Sequence, residues 1–551
     1  MPMALGLGLG LPYMAGPSGP SPALDLNFVA MAASQALDSR ITYTGASLAT
    51  LVNAAGLIAY KPHNLLTWSA VSTTNWSLEA NVTVTAGSVA DPDGAMTGAT
   101  IAWGSASAGN GVLKVVSGVN GAANSKAIYV RADVAGGTVE LVDPGSTVGS
   151  TVATLTTSWQ RVSLSEVAGA QAASGGVWLR KTASSPATIY VCWATFNFGP
   201  LQPYYPTTGS AYFGPRFTYD PVTHAALGLL IEEQRTNLLT YSEKFDNAIW
   251  LKQTLTVTAN QYTAPDGSTT ADALVPTSGD SALTYDIAPA SAVAHTFSIW
   301  LRSTTGSSFS LDIRLFRDSP FASISTQSVT LTTAWQRFTF TGTPLDTSTH
   351  RWRIGNGSSW ATGEDAAAWG AQLEAGSFAT SYIPTTSASV TRAADSATMT
   401  GANFSSWFNA AAGTFVWEGL FATQSTASDP FLAHNGTISE SIGAYISGGT
   451  AIQWCRAGGV TQAANTAGSP VSVGSLIKIG AAFSANDFRA SSNGSAIASD
   501  AAGSMPSGVD RLGLAGSGGV LVGGNSTNAP ISRLRYYNTA LTNAQLQALT
   551  A

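Results

Sequence analysis

The sequence predicts an all-β protein of tandem two-sheet sandwiches, and three observations carry that expectation. First, one block of motifs occurs twice in the same order, HNLLTWSAVSTTNW (His63 to Trp76) being answered by TNLLTYSEKFDNAIW (Thr236 to Trp250). A run of motifs keeping its order at steady spacing marks two copies of one domain. Second, apolar and polar residues alternate at period two, as in Phe297, Ile299 and Leu301 against Ser298, Trp300 and Arg302. That is the pattern of a half-buried strand. Third, the last third alternates in the same way in GTFVWEGLFA, SLIKIGAAFS and DFRASSNGSAI, but with motifs of its own. Strand runs at short intervals between Gly, Pro, Asp and Ser clusters favour sandwiches over helical layers.

The repeat holds along its whole length. ADPDGAMTGATIA from Ala90 answers TAPDGSTTADALV from Thr263, AIYVRAD (Ala127 to Asp133) answers FSIWLRS (Phe297 to Ser303), and LTTSWQRVSL from Leu155 answers LTTAWQRFTF from Leu331. WATFNFGPLQPYYPTTGSA from Trp193 answers WGAQLEAGSFATSYIPTTSAS from Trp369. The displacement is 173 from Asn64 to Asn237, 176 from Trp159 to Trp335 and 178 from Pro206 to Pro384. At 551 residues the chain has room for roughly three or four domains of about 150 residues.

Charged residues make up only 10% of the chain, while 44% is apolar with 15 Trp, 16 Tyr and 20 Phe. The aromatic content is ample for several cores, so hydroxyls and backbone, rather than Lys and Glu, must cover the surface. A net charge of −6 with 25 dispersed basic residues gives no stripe that could track a phosphate backbone, and nucleic acid is excluded as the expected partner. No run reaches the ~18 apolar residues of a membrane span. Cys192 and Cys455 fall in different domains and read as two small buried residues.

Taken in order, Ala4 to Tyr13 alternates Leu with Gly, which would set every Leu on one face of a strand that needs a partner to lie against. No Lys or Arg precedes this stretch, so it does not read as a secretory signal. Residues 1–23 are expected to be an anchor and linker. Residues 24–60 and 213–236 read as one small β unit: Leu24, Leu26 and Phe28 alternate, Ile41 and Tyr43 do the same, and Asn53 to Gly56 is a turn. The segments ITYTGASLATLVNAAGLI (Ile41 to Ile58) and PRFTYDPVTHAALGLLIEEQRTNLLTYSEKF from Pro215 resemble, as a pair, a motif of bacteriophage tail-fibre, spike and related virion proteins. In that family the two segments lie within a few dozen residues of each other, which implies that the first repeat is inserted between them here. Gly45 stands where the family usually carries Arg.

The first repeat, 61–212, and the second, 237–395, each resemble the jelly-roll modules that bind carbohydrate in secreted glycosidases and phage fibres, best at the PDG turn and the WQR strand. Residues 396–551 resemble a laminin-G or concanavalin-like sandwich. In its final helix Thr542 and Gln545 are spaced as a capping box, with Leu541, Leu546 and Leu549 along one side.

No catalytic set emerges from the residues. His63, His224, His295, His350 and His434 stand alone, and there is no HExxH, GxSxG, Walker loop or CxxC. Glu232 and Glu233 are neighbours, so on a strand they face opposite ways and cannot flank one glycosidic bond. A structural pairing with Arg216 or Arg235 is the expectation. Asp91, Asp93 and Asp266 sit in Pro-Gly turns that could offer oxygens to a structural Ca²⁺, although an Asx turn needs no metal. No other cofactor is expected.

Sugar rings pack their C–H faces on Trp and Tyr, which singles out Trp178, Trp193, Tyr204, Tyr205, Trp352, Trp360 and Trp369. Trp159, Trp335, Trp193 and Trp369 occupy matched places in the repeats and are read as core. Trp352 and Trp360, flanking a glycine-rich polar stretch, are read as surface glycan contacts, placing the site in the second repeat or the C-terminal sandwich. The resemblance implies a virion structural protein, a tail fibre, spike or head fibre. It would be bound to other virion proteins through its N-terminus, be trimeric, and display host-glycan sites without enzymatic activity. The alternative is an exported bacterial protein that binds or cleaves carbohydrate.

Overall fold

The computed structural model describes residues 20–119, 122–145, 149–166, 174–355, 360–421, 427–516 and 526–551. The Leu-Gly stretch and most of the loop between Trp352 and Trp360 lie outside them. The described chain is all-β apart from three short helices, Phe28–Ser34, Ala402–Ser405 and Asn543–Thr550. It divides into two compact units. The larger contains Val29–Leu37 and Thr42–Ala397. The other contains the described residues up to Phe28, Asp38–Ile41 and Thr398–Ala551.

In the larger unit both repeats are sandwiches of two five-stranded antiparallel sheets, with one strand order. The first repeat's front sheet runs Gln160–Glu166, Asn124–Arg131, Thr188–Phe198, Gly98–Ala102, Thr83–Val89, and the second repeat's runs Gln336–Gly342, His295–Ser303, Ala366–Ala375, Ala271–Pro276, Leu255–Tyr262. The back sheets likewise match strand for strand, with Thr138–Val142 and Ser174–Lys181 answered by Phe309–Arg317 and His350–Ile354. Leu, Ile, Val and Phe on the inner faces close one core in each copy. A sandwich forms because each strand has one apolar side to bury.

The same polar pegs hold both copies. Asn64 donates from Nδ2 to the carbonyls of Ala194 and Tyr205, and its Oδ1 accepts from Leu66 and Phe196 N–H. Asn237 repeats this with Ala371, Ile383, Leu239 and Leu373. Both amides are fully buried, so deleting either would orphan several backbone groups, at about 1–3 kcal/mol for each one left unsatisfied.

Glu232 lies at the centre of a buried charge cluster. Its carboxylate accepts from Arg216 Nη1 at 2.6 Å, from Arg392 Nη1, and from Ser381 N–H and Oγ–H at 2.8 and 2.6 Å. Arg216 also donates to Asp395 and to the Thr50 carbonyl, and the Tyr43 hydroxyl donates to Asp395 at 2.6 Å. The Lys61 ammonium lies 3.9 Å from Asp395 and 2.5 Å from where a Cβ on Gly45 would stand. A side chain at position 45 would therefore require that ammonium to move. Glu232 and Glu233 have the structural roles their spacing implied, Glu233 pairing with Arg235 at 2.5 Å.

The other unit is also a two-sheet sandwich. One sheet runs Ala529–Tyr537, Ala412–Leu420, Leu476–Ser484, Asp487–Ser492, Ala498–Asp500, with Leu24–Asn27 paired to Ala529–Tyr537. The facing sheet runs Arg511–Leu514, Ser428–His434, Ser441–Ser447, Thr450–Ala457, Val460–Ala467. The helix Asn543–Thr550 has its capping box, Thr542 with Gln545. Leu546 is buried, and Leu541 and Leu549 pack with Val416 and Tyr537. Cys192 and Cys455 are both free and buried.

Candidate functional site

Trp352 and Trp360 are not surface residues. Trp352 is 1% exposed and Trp360 0%. Trp352 lies on His350–Ile354, the middle strand of the back sheet, where the alternation sends Arg351 and Arg353 outward and Trp352 inward against Phe297 and Phe340. Trp360 lies over Gly355 and donates its indole N–H to the Glu364 carbonyl at 2.7 Å. Both are core, and the glycan site expected on them has to be sought elsewhere.

A cleft of about 930 Å³ opens on the first repeat, on the outer face of the front sheet. Trp193 reaches it through a bulge. Ala127 faces Thr195 but Tyr129 faces Cys192, so one extra residue is accommodated and Trp193 takes φ 53°, a conformation costly for a bulky residue. The turned-out indole stacks on Tyr204, with centroids 5.3 Å apart and planes 10° from parallel, and meets Tyr129 edge-on at 5.2 Å. All three rings are partly exposed. Tyr204 is fixed by a 2.9 Å hydrogen bond between its hydroxyl and that of Ser69.

Polar groups surround the aromatics. The Asp91 carboxylate accepts from the N–H groups of Asp93 and Ala95 at 2.9 and 3.0 Å and from the Thr97 hydroxyl at 2.5 Å. Burial opposes its charge, but Thr97, those amides and the Trp193 indole outweigh it and hold the carboxyl below the usual range. Asp91 thus organises the turn, leaving Asp93 exposed on the rim. Arg161 donates to the Gln202 carbonyl at 2.5 Å and lies 5.9 Å from the Tyr129 ring, while its buried Nε has no partner among the described residues. Burial pushes the Cys192 thiol up to about 12, with Asp91 adding to the rise, which removes it as a nucleophile.

Two of the Asp carboxylates considered for calcium are committed to Asx turns, Asp91 as above and Asp266, which accepts from Ser268 N–H and Oγ–H at 2.9 and 2.7 Å; Asp93 stays exposed on the rim. Among the described residues no group of three or more His, Cys, Asp or Glu is placed to hold a metal ion.

Sequence reasoning placed Trp193 in the core by matching it to Trp369. The structure shifts that match by one. Ala194 N–H donates to the Ser69 carbonyl as Ala371 N–H donates to Ser242, so Trp193 corresponds to Gly370 and the buried Cys192 to the buried Trp369. Trp159 and Trp335 are also half-exposed, each donating its indole N–H to a strand-end carbonyl, Ala90 and Thr263.

No family model and no curated protein matches the chain. Among solved structures, the chain is similar to a tandem of carbohydrate-binding modules, CBM22-1 and CBM22-2, from Paenibacillus barcinonensis Xyn10C, at 14% identity over 57% of this chain and 98% of that one, TM-score 0.21. It is also similar to the CBM40 of a Ruminococcus gnavus sialidase bound to α2,3-sialyllactose, at 18% identity over 27% of this chain and 87% of that one, TM-score 0.24. A third is the NanB sialidase of Streptococcus pneumoniae, at 12% identity over 27% and 26%, TM-score 0.23. Overlaps this loose do not bear on what the chain binds.

Proposed function

We propose that this protein binds carbohydrate, without cleaving it, in the Trp193–Tyr204 cleft of its first repeat. One observation carries the reading: a partly exposed stack of Trp193 on Tyr204 lines an open cleft beside Asp93, Arg161 and Ser69. Aromatic rings take the C–H faces of a sugar, and a few fixed polar groups orient its hydroxyls. Cleavage needs two carboxyl groups across the scissile bond, one able to give a proton. Here Asp91 and Asp93 share one turn, and Asp91 is held ionised by four donors. A single open site of this kind is weak, about millimolar or ~4 kcal/mol, so useful adhesion comes from several copies together. The test is a glycan array probed with chains clustered on beads, beside a reducing-end assay on the glycans that score. Binding with no new reducing ends is expected; no binding in the clustered format, or released reducing ends, overturns the proposal.

A second reading concerns where the protein works. The two segments resembling a virion-protein motif meet in space, Arg216 reaching the Thr50 carbonyl and Val52 N–H reaching the Thr218 hydroxyl. This supports an ancestral unit interrupted by the first repeat. On that reading the chain is a trimeric attachment protein of a bacteriophage particle, bound to it by the N-terminal segment. Light scattering at micromolar concentration checks it: a trimer is expected, and a stable monomer counts against it.

A further inference from the structure

The repeats share a scaffold, yet the cleft is open on one and filled on the other. The Ser69–Tyr204 hydroxyl pair at 2.9 Å corresponds to Ser242–Tyr382 at 2.7 Å. Arg161, which bonds the Gln202 carbonyl, corresponds to Arg337, which bonds Thr380. The Asp91 turn corresponds to the Ala264 turn, closed by the same pair of backbone bonds. Trp193 at φ 53° corresponds to Gly370 at φ 64°.

With no side chain at Gly370, Trp300 takes that space. A Cβ on Gly370 would lie 2.9 Å from the Trp300 ring, which packs edge-on to Trp369 and Tyr382 at 5.4 and 5.5 Å. These three rings are 8%, 1% and 1% exposed.

Over them lies the hairpin formed by Thr50–Val52 and Ile58–Tyr60. Ile58 packs on the ring cluster and donates its N–H to the Pro265 carbonyl at 3.0 Å. Leu57 Cδ1 stands 3.2 Å from a Cβ built on Gly267, and the Thr50 hydroxyl donates to the Tyr382 carbonyl at 2.5 Å. The hairpin tip thus grips the Pro265–Gly267 turn, whose counterpart in the first repeat carries Asp93 on the open rim.

We infer that the second repeat retains this cleft as a peptide-binding site and that its occupant is the chain's own Thr50–Tyr60 hairpin. Of the two repeats, the first therefore presents this cleft open and the second presents it occupied from within. The occupant is a tight-turned segment, whose Ile58 meets the rings and whose Leu57 lies against Gly267, where the first cleft presents a Trp-Tyr stack to solvent. The inference does not depend on what the first cleft takes.

Amide hydrogen exchange of the full-length chain tests it. Ile58→Asp sets a charge against the ring cluster and is expected to speed exchange in residues 264–271 at least tenfold, with exchange in residues 91–98 of the first repeat unchanged as the internal control. A synthetic peptide of residues 49–61 added to that variant is expected to restore the protection. If Ile58→Asp does not fold, Ile58→Ala is expected to give a several-fold rise confined to the same residues. Unchanged exchange in a folded variant, or no restoration by the peptide, overturns the inference.

Discussion

Replacing Glu232 by Gln keeps its shape and removes its charge from a site 3% exposed, beside Arg216 and Arg392 at 0% and 1%. Breaking a buried ion pair from one side costs about 3–5 kcal/mol, because the partner charges stay buried without their counter-ion. The carboxyl itself gives a similar figure. Burial opposes its charge, but Arg392 and Arg216 prevail and hold it at about 2 against an ordinary 4.5, a difference worth about 3 kcal/mol by linkage. A depressed carboxyl stabilises the fold above its unfolded value, and that stabilisation is lost as pH falls. The gap between wild type and Glu232→Gln should therefore be full at pH 7, shrink below about 4.5 and close near 2. Urea titration followed by far-ultraviolet circular dichroism measures it, with a midpoint about 1 M lower at pH 7 if the slope is about 3 kcal/mol/M. A variant within about 0.5 kcal/mol of wild type at pH 7, or a gap at pH 2.5 as large as the one at pH 7, would refute the reasoning.

Glu243 carries the opposite sign. Burial, then Asp266, pushes its carboxyl up to about 7 from 4.5, so the folded state holds the proton longer and stability falls as pH rises from about 4.5 to 7. Glu243→Gln should flatten that fall and raise stability at pH 8 by about 2 kcal/mol after allowance for its partial exposure, read by thermal melts across pH. Trp352→Ala should behave as a core deletion, costing about 3–5 kcal/mol in urea melts, while the folded fraction keeps any glycan affinity of the first repeat.

The sandwich architecture was legible because period-two alternation and a duplicated motif order survive in the sequence. What the residues alone did not give was side-chain direction at two kinds of place. HRWRI, His350 to Ile354, holds the answer for Trp352, since two outward Arg residues force the Trp between them inward; the neighbouring glycine-rich loop drew the reading to the surface instead. At Trp193 alternation fails for a physical reason. A bulge inserts one residue in each copy's long central strand, and one step of register moves a side chain to the other face. Matching Trp193 to Trp369 by letter thus paired a partly exposed residue of the bulge with one a step away, which is buried beside Trp300 and Tyr382. The charge cluster joins Thr50, Arg216, Glu232, Arg392 and Asp395, positions far apart in sequence; only the Arg216–Glu232 pairing was visible beforehand.

The central claim is that the first-repeat cleft is the sugar site, and the most direct measurement is the binding of wild type and Trp193→Ala, side by side, to the best array glycan by isothermal calorimetry. A stacked ring is worth about 0.5–1.5 kcal/mol beyond the area it buries, so with that area lost as well the account predicts roughly tenfold weaker association for Trp193→Ala, with an unchanged urea midpoint and one site per wild-type chain. Equal affinity in the two proteins would contradict it.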